Sequence, residues 1–177
     1  GMTVTAVDHR LNLVREATAH GLRGVYGDAA ARIVLDAAHV STARLVVIAV
    51  PDMTTARAAL KLVRELNAGA TVIAYDRLIL NTNDVDYYVA YDNEKVGELQ
   101  AQSLVDGLKA KGKAPYNVEL FAGSPDDNNA TFFWNGAMKV LQPMIDSGDM
   151  KVVSGQTGFK QAAILRWDPA TAQKRME

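Results

Sequence analysis

Residues 45–50 read LVVIAV, an almost unbroken apolar run. That is the pattern of a strand covered on both faces, as in a parallel sheet flanked by helices. Short β-branched runs at 4–7, 23–26 and 71–75 predict further strands. Between them lie stretches of helical period at 11–20 and 29–38. A third carries the stripe Ala56, Ala59, Leu60 and Val63. Thr54 or Thr55 is placed to cap this third helix, and Asn67-Ala68-Gly69 to end it. The repeated β-α-β order predicts an α/β fold, a three-layer α/β/α arrangement around a mostly parallel, Rossmann-like sheet. Downstream, strands are expected at 87–91, 116–121 and 151–154, and helices at 94–110 and 130–146. Asp168-Pro169 caps a last short helix.

Composition narrows the functions. Lys and Arg number 19 against 20 Asp and Glu in 177 residues, a net charge of -1. So even a balance gives no electrostatic case for nucleic acid or an anionic membrane surface. Cysteine is absent, which excludes disulfides, zinc–thiolate sites and thiol nucleophiles. Three scattered histidines, His9, His20 and His39, do not form a metal-ligand pattern, and no metal is expected. No apolar run reaches the ~20 residues of a membrane span. The start lacks the regions of a signal peptide, which places the polypeptide in the cytoplasm as expressed. Gly1 before Met2 reads as the remnant of a cleaved tag.

The most site-like segment is the loop 123–129, GSPDDNN. Two carboxylates and two carboxamides occupy consecutive positions at the carboxyl end of a predicted parallel strand, the edge where open α/β sheets bind ligands. Asp and Asn together accept and donate, as sugar hydroxyls require. Phe132, Phe133 and Trp134 follow and offer a stacking ring; the other reading of this segment is a helix cap with core aromatics behind it. Asp76 and Arg77 stand at a second strand end and pair a carboxylate with a guanidinium fork. Adjacent Asp126 and Asp127 point in different directions, which disfavours paired-acid glycoside hydrolysis. No nucleophile–base pair or cofactor lysine stands out, and Ser124 has no histidine near it in sequence, so no catalytic residue is assigned and a non-enzymatic protein is expected. Asp8 and Asp28 also end predicted strands, and by local pattern Asp8 is a solvated carboxylate.

Two resemblances add to this. VTAVDHR (4–10), GLRGVYGDAA (21–30) and ARLVVIAVPD (43–52) resemble the nucleotide-binding RCK domain of bacterial potassium transport and efflux systems. The resemblance implies NAD or nucleotide binding, with Asp8 as the ribose acid and Asp28 near the adenosine. The family's first strand and Gly-rich phosphate turn are missing, so no cofactor is assigned. From about residue 72, VIAYDRLI, YYVAYDN, KVGELQ, ELFAGSPDDNN, GAMKVLQP and RWDPATAQ resemble type I periplasmic sugar-binding proteins of ABC transporters. That resemblance implies sugar contacts from Asp76, Arg77, Asp127 and Asn129 and a monosaccharide ligand.

The two resemblances meet without a linker near 70–74. They imply an artificial chimera, with a natural fusion or a misassembled gene as the alternative: an RCK-like fragment over 1–73 and a sugar-binder fragment over 74–177, or the two merged in one α/β domain. Their compartments conflict, which leaves localisation open. The RCK pattern has its missing strand at the sheet centre, and an empty slot would leave unpaired backbone groups at ~1–3 kcal/mol each. Residues 118–121 are expected to fill it, within the chain or in a strand-swapped homodimer. The expected function is a partial monosaccharide site. The alternatives are a nucleotide-binding regulatory domain and a fold-construction protein with no ligand.

Overall fold

The computed structural model describes residues 3–177, and the tag reading of Gly1-Met2 lies outside them. The chain forms two compact units that divide between Val89 and Ala90. The first holds β1 (Thr5–Asp8), α1 (Leu11–Ala19), β2 (Arg23–Tyr26), α2 (Arg32–Ala37), a 3₁₀ turn at Val40–Thr42, β3 (Leu45–Ile48), α3 (Met53–Leu66), β4 (Thr71–Tyr75) and β5 (Tyr87–Val89). Every ladder is parallel: β1 with β2, β3 with β4 and β4 with β5. The fold is α/β, as the period pattern predicts.

The core of this unit sits on one face of β3 and β4. Ile48, Val72 and Ala74 pack against Ala56, Leu60 and Val63 of α3, with Leu35 and Val40 closing the side. Cap and stripe follow the sequence, with one shift. Asp52, not Thr54 or Thr55, is the N-cap of α3, and its carboxylate accepts from the Thr55 N–H and hydroxyl at 2.8 and 2.9 Å. A carboxylate there also answers the positive end of the helix dipole. β5 was expected with the C-terminal segment; its ladder to β4 binds it into the first unit.

An Arg64 clamp, invisible to periodicity, ties α3 to the loop before β5. Its guanidinium donates to the carbonyls of Asp84 (2.9 Å), Ala68 (3.3 Å) and Ala70 (2.6 Å) and to the Asp86 carboxylate (2.8 Å). Asp86 in turn accepts the Val72 N–H at 2.7 Å. Arg64→Ala is expected to lower the unfolding free energy of this unit by about 2–4 kcal/mol, because it strands several backbone acceptors at once. Urea unfolding followed by circular dichroism measures it.

The Val72 N–H, followed by the Arg64 guanidinium, holds the Asp86 carboxyl below its ordinary range. A folded pKa below the unfolded one means stabilisation that is complete above the unfolded value and lost as pH falls through the folded value. Acidification below about pH 4 is therefore expected to weaken the first unit. Asp86→Asn is expected to flatten that acid limb, measured as melting temperature between about pH 2 and 6.

The sheet has a discontinuity. Among the described residues, β1–β2 and β3–β4–β5 share no ladder. Residues 118–121, expected to fill a central slot, form no ladder with either set of strands within the chain. The reason lies in the second unit, which contains α4 (Asn93–Lys111), β6 (Tyr116–Val118), α5 (Asn128–Ser147), β7 (Met150–Val152), α6 (Phe159–Ala162), a 3₁₀ turn at Leu165–Trp167 and α7 (Pro169–Met176). There β6 ends at Val118 and pairs with β7. Leu120 is buried in this unit's own core. The Glu119 carboxylate accepts the Ser154 N–H and hydroxyl at 2.6 and 2.7 Å. The segment is already committed.

The second core joins Ala101 and Val105 of α4, Leu141 of α5, and Met150 and Val152 of β7. α4 and α5 approach through Gly97 and Gly136. A Cβ on Gly97 would overlap the Phe133 carbonyl, and one on Gly136 would overlap the Glu94 carbonyl. Beside this crossing, Lys139 bridges Glu94 (2.5 Å) and Glu98 (3.2 Å).

Candidate functional site

In the second unit the loop 123–129 becomes the N-terminal approach to α5. Asp127 is the N-cap of that helix: one carboxylate oxygen accepts the Asn129 N–H at 3.0 Å. The other accepts the indole N–H of Trp167 at 2.9 Å. Asp127 and Asn129 are each 4% exposed. The Asn129 side-chain oxygen accepts from the Asn93 amide at 2.9 Å, so the first turns of α4 and α5 are cross-tied. The expected divergence of the two aspartates is seen: Asp126 turns to the Ser124 hydroxyl, Asp127 to Trp167.

Trp167 is the residue that sequence reasoning missed. It lies 40 residues from Asp127, and nothing in its periodicity marks it. The signal that could have found it is its place in RWDPATAQ, directly before the Asp168-Pro169 cap. Its ring lies against the Gly123 backbone: a Cβ there would collide with Cζ2 and Cη2. The residue remains 40% exposed. Arg166 and Trp167 both adopt left-handed backbone, φ 58 and 56.

Of the aromatics that follow the loop, Trp134 is engaged elsewhere. Trp134 packs edge-on against Phe159, ring centroids 5.8 Å apart, beside the core of the second unit. Phe132 is 40% exposed on α5. The helix-cap reading of 123–129 is therefore correct for Asp127, and it coexists with a buried polar cluster built from the same residues.

In the first unit, Asp76 and Arg77 follow β4, as expected. Asp76 takes left-handed backbone, φ 67, and its N–H donates to the Val89 carbonyl at 2.8 Å. The Tyr88 hydroxyl donates to the Asp76 carbonyl at 3.0 Å. Arg77 donates to the Pro51 carbonyl at 2.6 Å. The carboxyl ends of β3, β4 and β5 are thus knit together around these two residues. Asp127 and Asn129 are brought together in the second unit, Asp76 and Arg77 in the first.

Asp8 and Asp28 are engaged locally. Asp8 accepts from the Arg10 N–H (2.8 Å) and from both sides of its guanidinium (3.1 Å each), which holds its carboxyl below the ordinary range. Asp28 accepts the Ala30 N–H at 2.8 Å in the turn toward α2. Among the described residues, no group of three or more His, Asp and Glu could hold a metal ion. No described helix is long and apolar enough to cross a membrane.

Chemically, the second-unit cluster offers a carboxylate, a carboxamide pair and an aromatic ring fixed in one place. That set suits a small polyol: acceptors and donors for hydroxyls, and a ring for the C–H face.

Comparison with known proteins bears on this directly. The family described as periplasmic binding protein domain matches residues 24–177. The multiple sugar-binding periplasmic receptor ChvE of Rhizobium radiobacter is 58% identical over 135 residues, 76% of this chain and 38% of that protein. The D-xylose-binding periplasmic protein of Escherichia coli (strain K12) is 50% identical over 109 residues, 62% of this chain and 29% of its own. An ABC transporter solute-binding protein from Clostridium phytofermentans, solved with bound β-D-glucose, superimposes with a TM-score of 0.72. It is 32% identical, covering 99% of this chain and 58% of that one.

The chain thus spans well under half the length of these sequence relatives. A 135-residue match in a 177-residue chain contains residues 43–135 wherever it starts, so it encloses the expected join at 70–74. The chain belongs to the periplasmic binding protein domain family.

Proposed function

We propose that this chain carries part of a monosaccharide-binding site and performs no catalysis. Asp127, Asn129 and Trp167 are the sugar contacts we assign within the second unit, and Asp76 and Arg77 those we assign within the first. The observation that carries the reading is the Trp167 indole locked onto the buried Asp127 carboxylate at the start of α5. A cap needs only a backbone donor; pairing the same carboxylate with a half-exposed indole builds a fixed aromatic face. The relatives' names, a sugar receptor and a xylose-binding protein, support the ligand class and the absence of chemistry. The same names give the periplasm, the compartment we infer for this segment's origin.

For these 177 residues by themselves affinity is expected to be weak, in the millimolar range or about 4 kcal/mol, since they span 38% of the length of the sugar-receptor relative. Calorimetry with a panel of pentoses and hexoses tests this. Saturable heat for at least one sugar, abolished by Trp167→Ala, supports the proposal; no heat for any sugar at about fifty millimolar overturns it.

The composite origin keeps VTAVDHR alone outside the family match, which begins at residue 24 within GLRGVYGDAA. The 135-residue match restricts it: a chimera of this kind is joined before residue 43. The nucleotide reading gains no support from Asp8 or Asp28, whose oxygens serve local turns.

A further inference from the structure

Two adjacent non-glycine residues, Arg166 and Trp167, hold left-handed backbone just where the indole is presented. Such conformations persist only where the surroundings over-determine them, and they collect at ligand sites. The surroundings can be named. Ile164 N–H donates to the Ala122 carbonyl at 3.0 Å, and Trp167 N–H to the Ile164 carbonyl at 3.1 Å. Between these, the Arg166 N–H donates to the Ser124 hydroxyl oxygen at 2.8 Å. That same hydroxyl donates its proton to the Asp126 carboxylate. Ser124 is fully buried, 0% exposed.

We infer that Ser124 is a positioning residue for the aromatic face: its hydroxyl, oriented by Asp126, pins the strained Arg166–Trp167 backbone so that the indole meets Asp127 and Gly123. Being wholly buried, Ser124 touches no ligand. It sets ligand affinity through the ring, and the inference rests on the sugar-binding reading for that last step alone.

The relay has a direction. A donated proton to Asp126 leaves the Ser124 lone pairs aimed at the Arg166 N–H, the only arrangement that satisfies both partners. Alanine at 124 leaves that buried-side N–H without its acceptor, and the left-handed pair can then relax.

The test uses the full chain with Trp134→Phe, which leaves Trp167 as the sole tryptophan; Trp134 belongs to the core edge, not the site. Adding Ser124→Ala is expected to raise acrylamide quenching of Trp167 about twofold with a red-shifted emission, while far-UV circular dichroism is retained. Sugar affinity is expected to fall about fivefold to tenfold, the loss of one hydrogen bond's net worth. In a Trp167→Phe background the same Ser124→Ala change is expected to leave affinity nearly unaltered, because coupled positions are not additive. Should Ser124→Ala fail to fold, Asp126→Ala removes only the hydroxyl's acceptor at an exposed position and is expected to move Trp167 quenching in the same direction, by less.

Unchanged Trp167 quenching and emission in the folded variants overturn the inference. So does an affinity loss of equal size with and without the indole, which marks a general structural effect. If the parent chain binds no sugar at all, the function proposal fails by itself, and the quenching comparison still decides the role of Ser124.

Discussion

Gly136→Val is expected to unfold the second unit while leaving the first standing. At this crossing the backbones of α4 and α5 are in direct contact. A Cβ on Gly136 would enter the Glu94 carbonyl oxygen, and one on Gly97 the Phe133 carbonyl. A flexible side chain could give way; a helix carbonyl cannot, because it already accepts within its own ladder. Overpacking of a well-packed site costs about 1–3 kcal/mol and sometimes more. Here the helices must separate, which also opens Ala101, Val105 and Leu141 to water and stretches the Lys139 bridges to Glu94 and Glu98. The expected total is about 4 kcal/mol or more, enough to empty a native state whose whole stability is ~5–15 kcal/mol.

Hydrogen exchange reads this unit by unit. Amides around Val105, Leu141 and Val152 should lose protection, and those around Leu60 and Val72 should keep it. Gly107 is the control, on the same helix with nothing near its missing Cβ. Gly107→Ala is expected to stabilise by about 0.5–1 kcal/mol, the ordinary helix-interior gain. Equal behaviour of Gly136→Val and Gly107→Ala would refute the contact.

Asp127→Ala is the second change with a large expected effect, because one buried carboxylate serves two ends. It caps α5 through the Asn129 N–H and holds the Trp167 indole. Losing a cap costs about 1 kcal/mol. Leaving an indole N–H unpaired beside a new hole adds about 1–3 kcal/mol. A loss of about 2–4 kcal/mol is expected, together with loss of sugar binding. Asp127→Asn keeps an acceptor and about the same volume, so it should recover much of the stability and only part of the affinity. If both variants bind sugar like the parent, the indole–carboxylate pair is no part of the site.

Much of this fold was legible in the sequence. The apolar run at 45–50 is read as a strand, but its expected cover on both faces is not seen: Ile48 is buried while Leu45 and Val47 are 44% and 52% exposed; the stripe from Ala56 to Val63 is read by its period. The loop 123–129 announced itself by chemistry alone. Other features had no local signal. Arg64 looks like an exposed helix cation, and only the fold brings the Ala68, Ala70 and Asp84 carbonyls to it. Residues 119–121 look like strand, yet Leu120 and Glu119 are fixed by core packing and by Ser154 instead of by a ladder. Trp167 lies 40 residues beyond Asp127 in sequence, so local reading reaches Phe132, Phe133 and Trp134 and not the ring that bonds Asp127. A left-handed pair at 166–167 breaks every periodic rule, and it is there that the indole reaches Asp127.

The most direct test of the central claim is an amide and indole proton–nitrogen correlation spectrum of the parent chain, titrated with glucose and xylose. Two indole signals are expected, one each from Trp134 and Trp167. The Trp167 indole and the amides of residues 127–129 are expected to shift saturably with sugar while the Trp134 indole stays in place. Sugar-dependent shifts that avoid Trp167 and residues 127–129, or no shifts at saturating sugar, would contradict the claim.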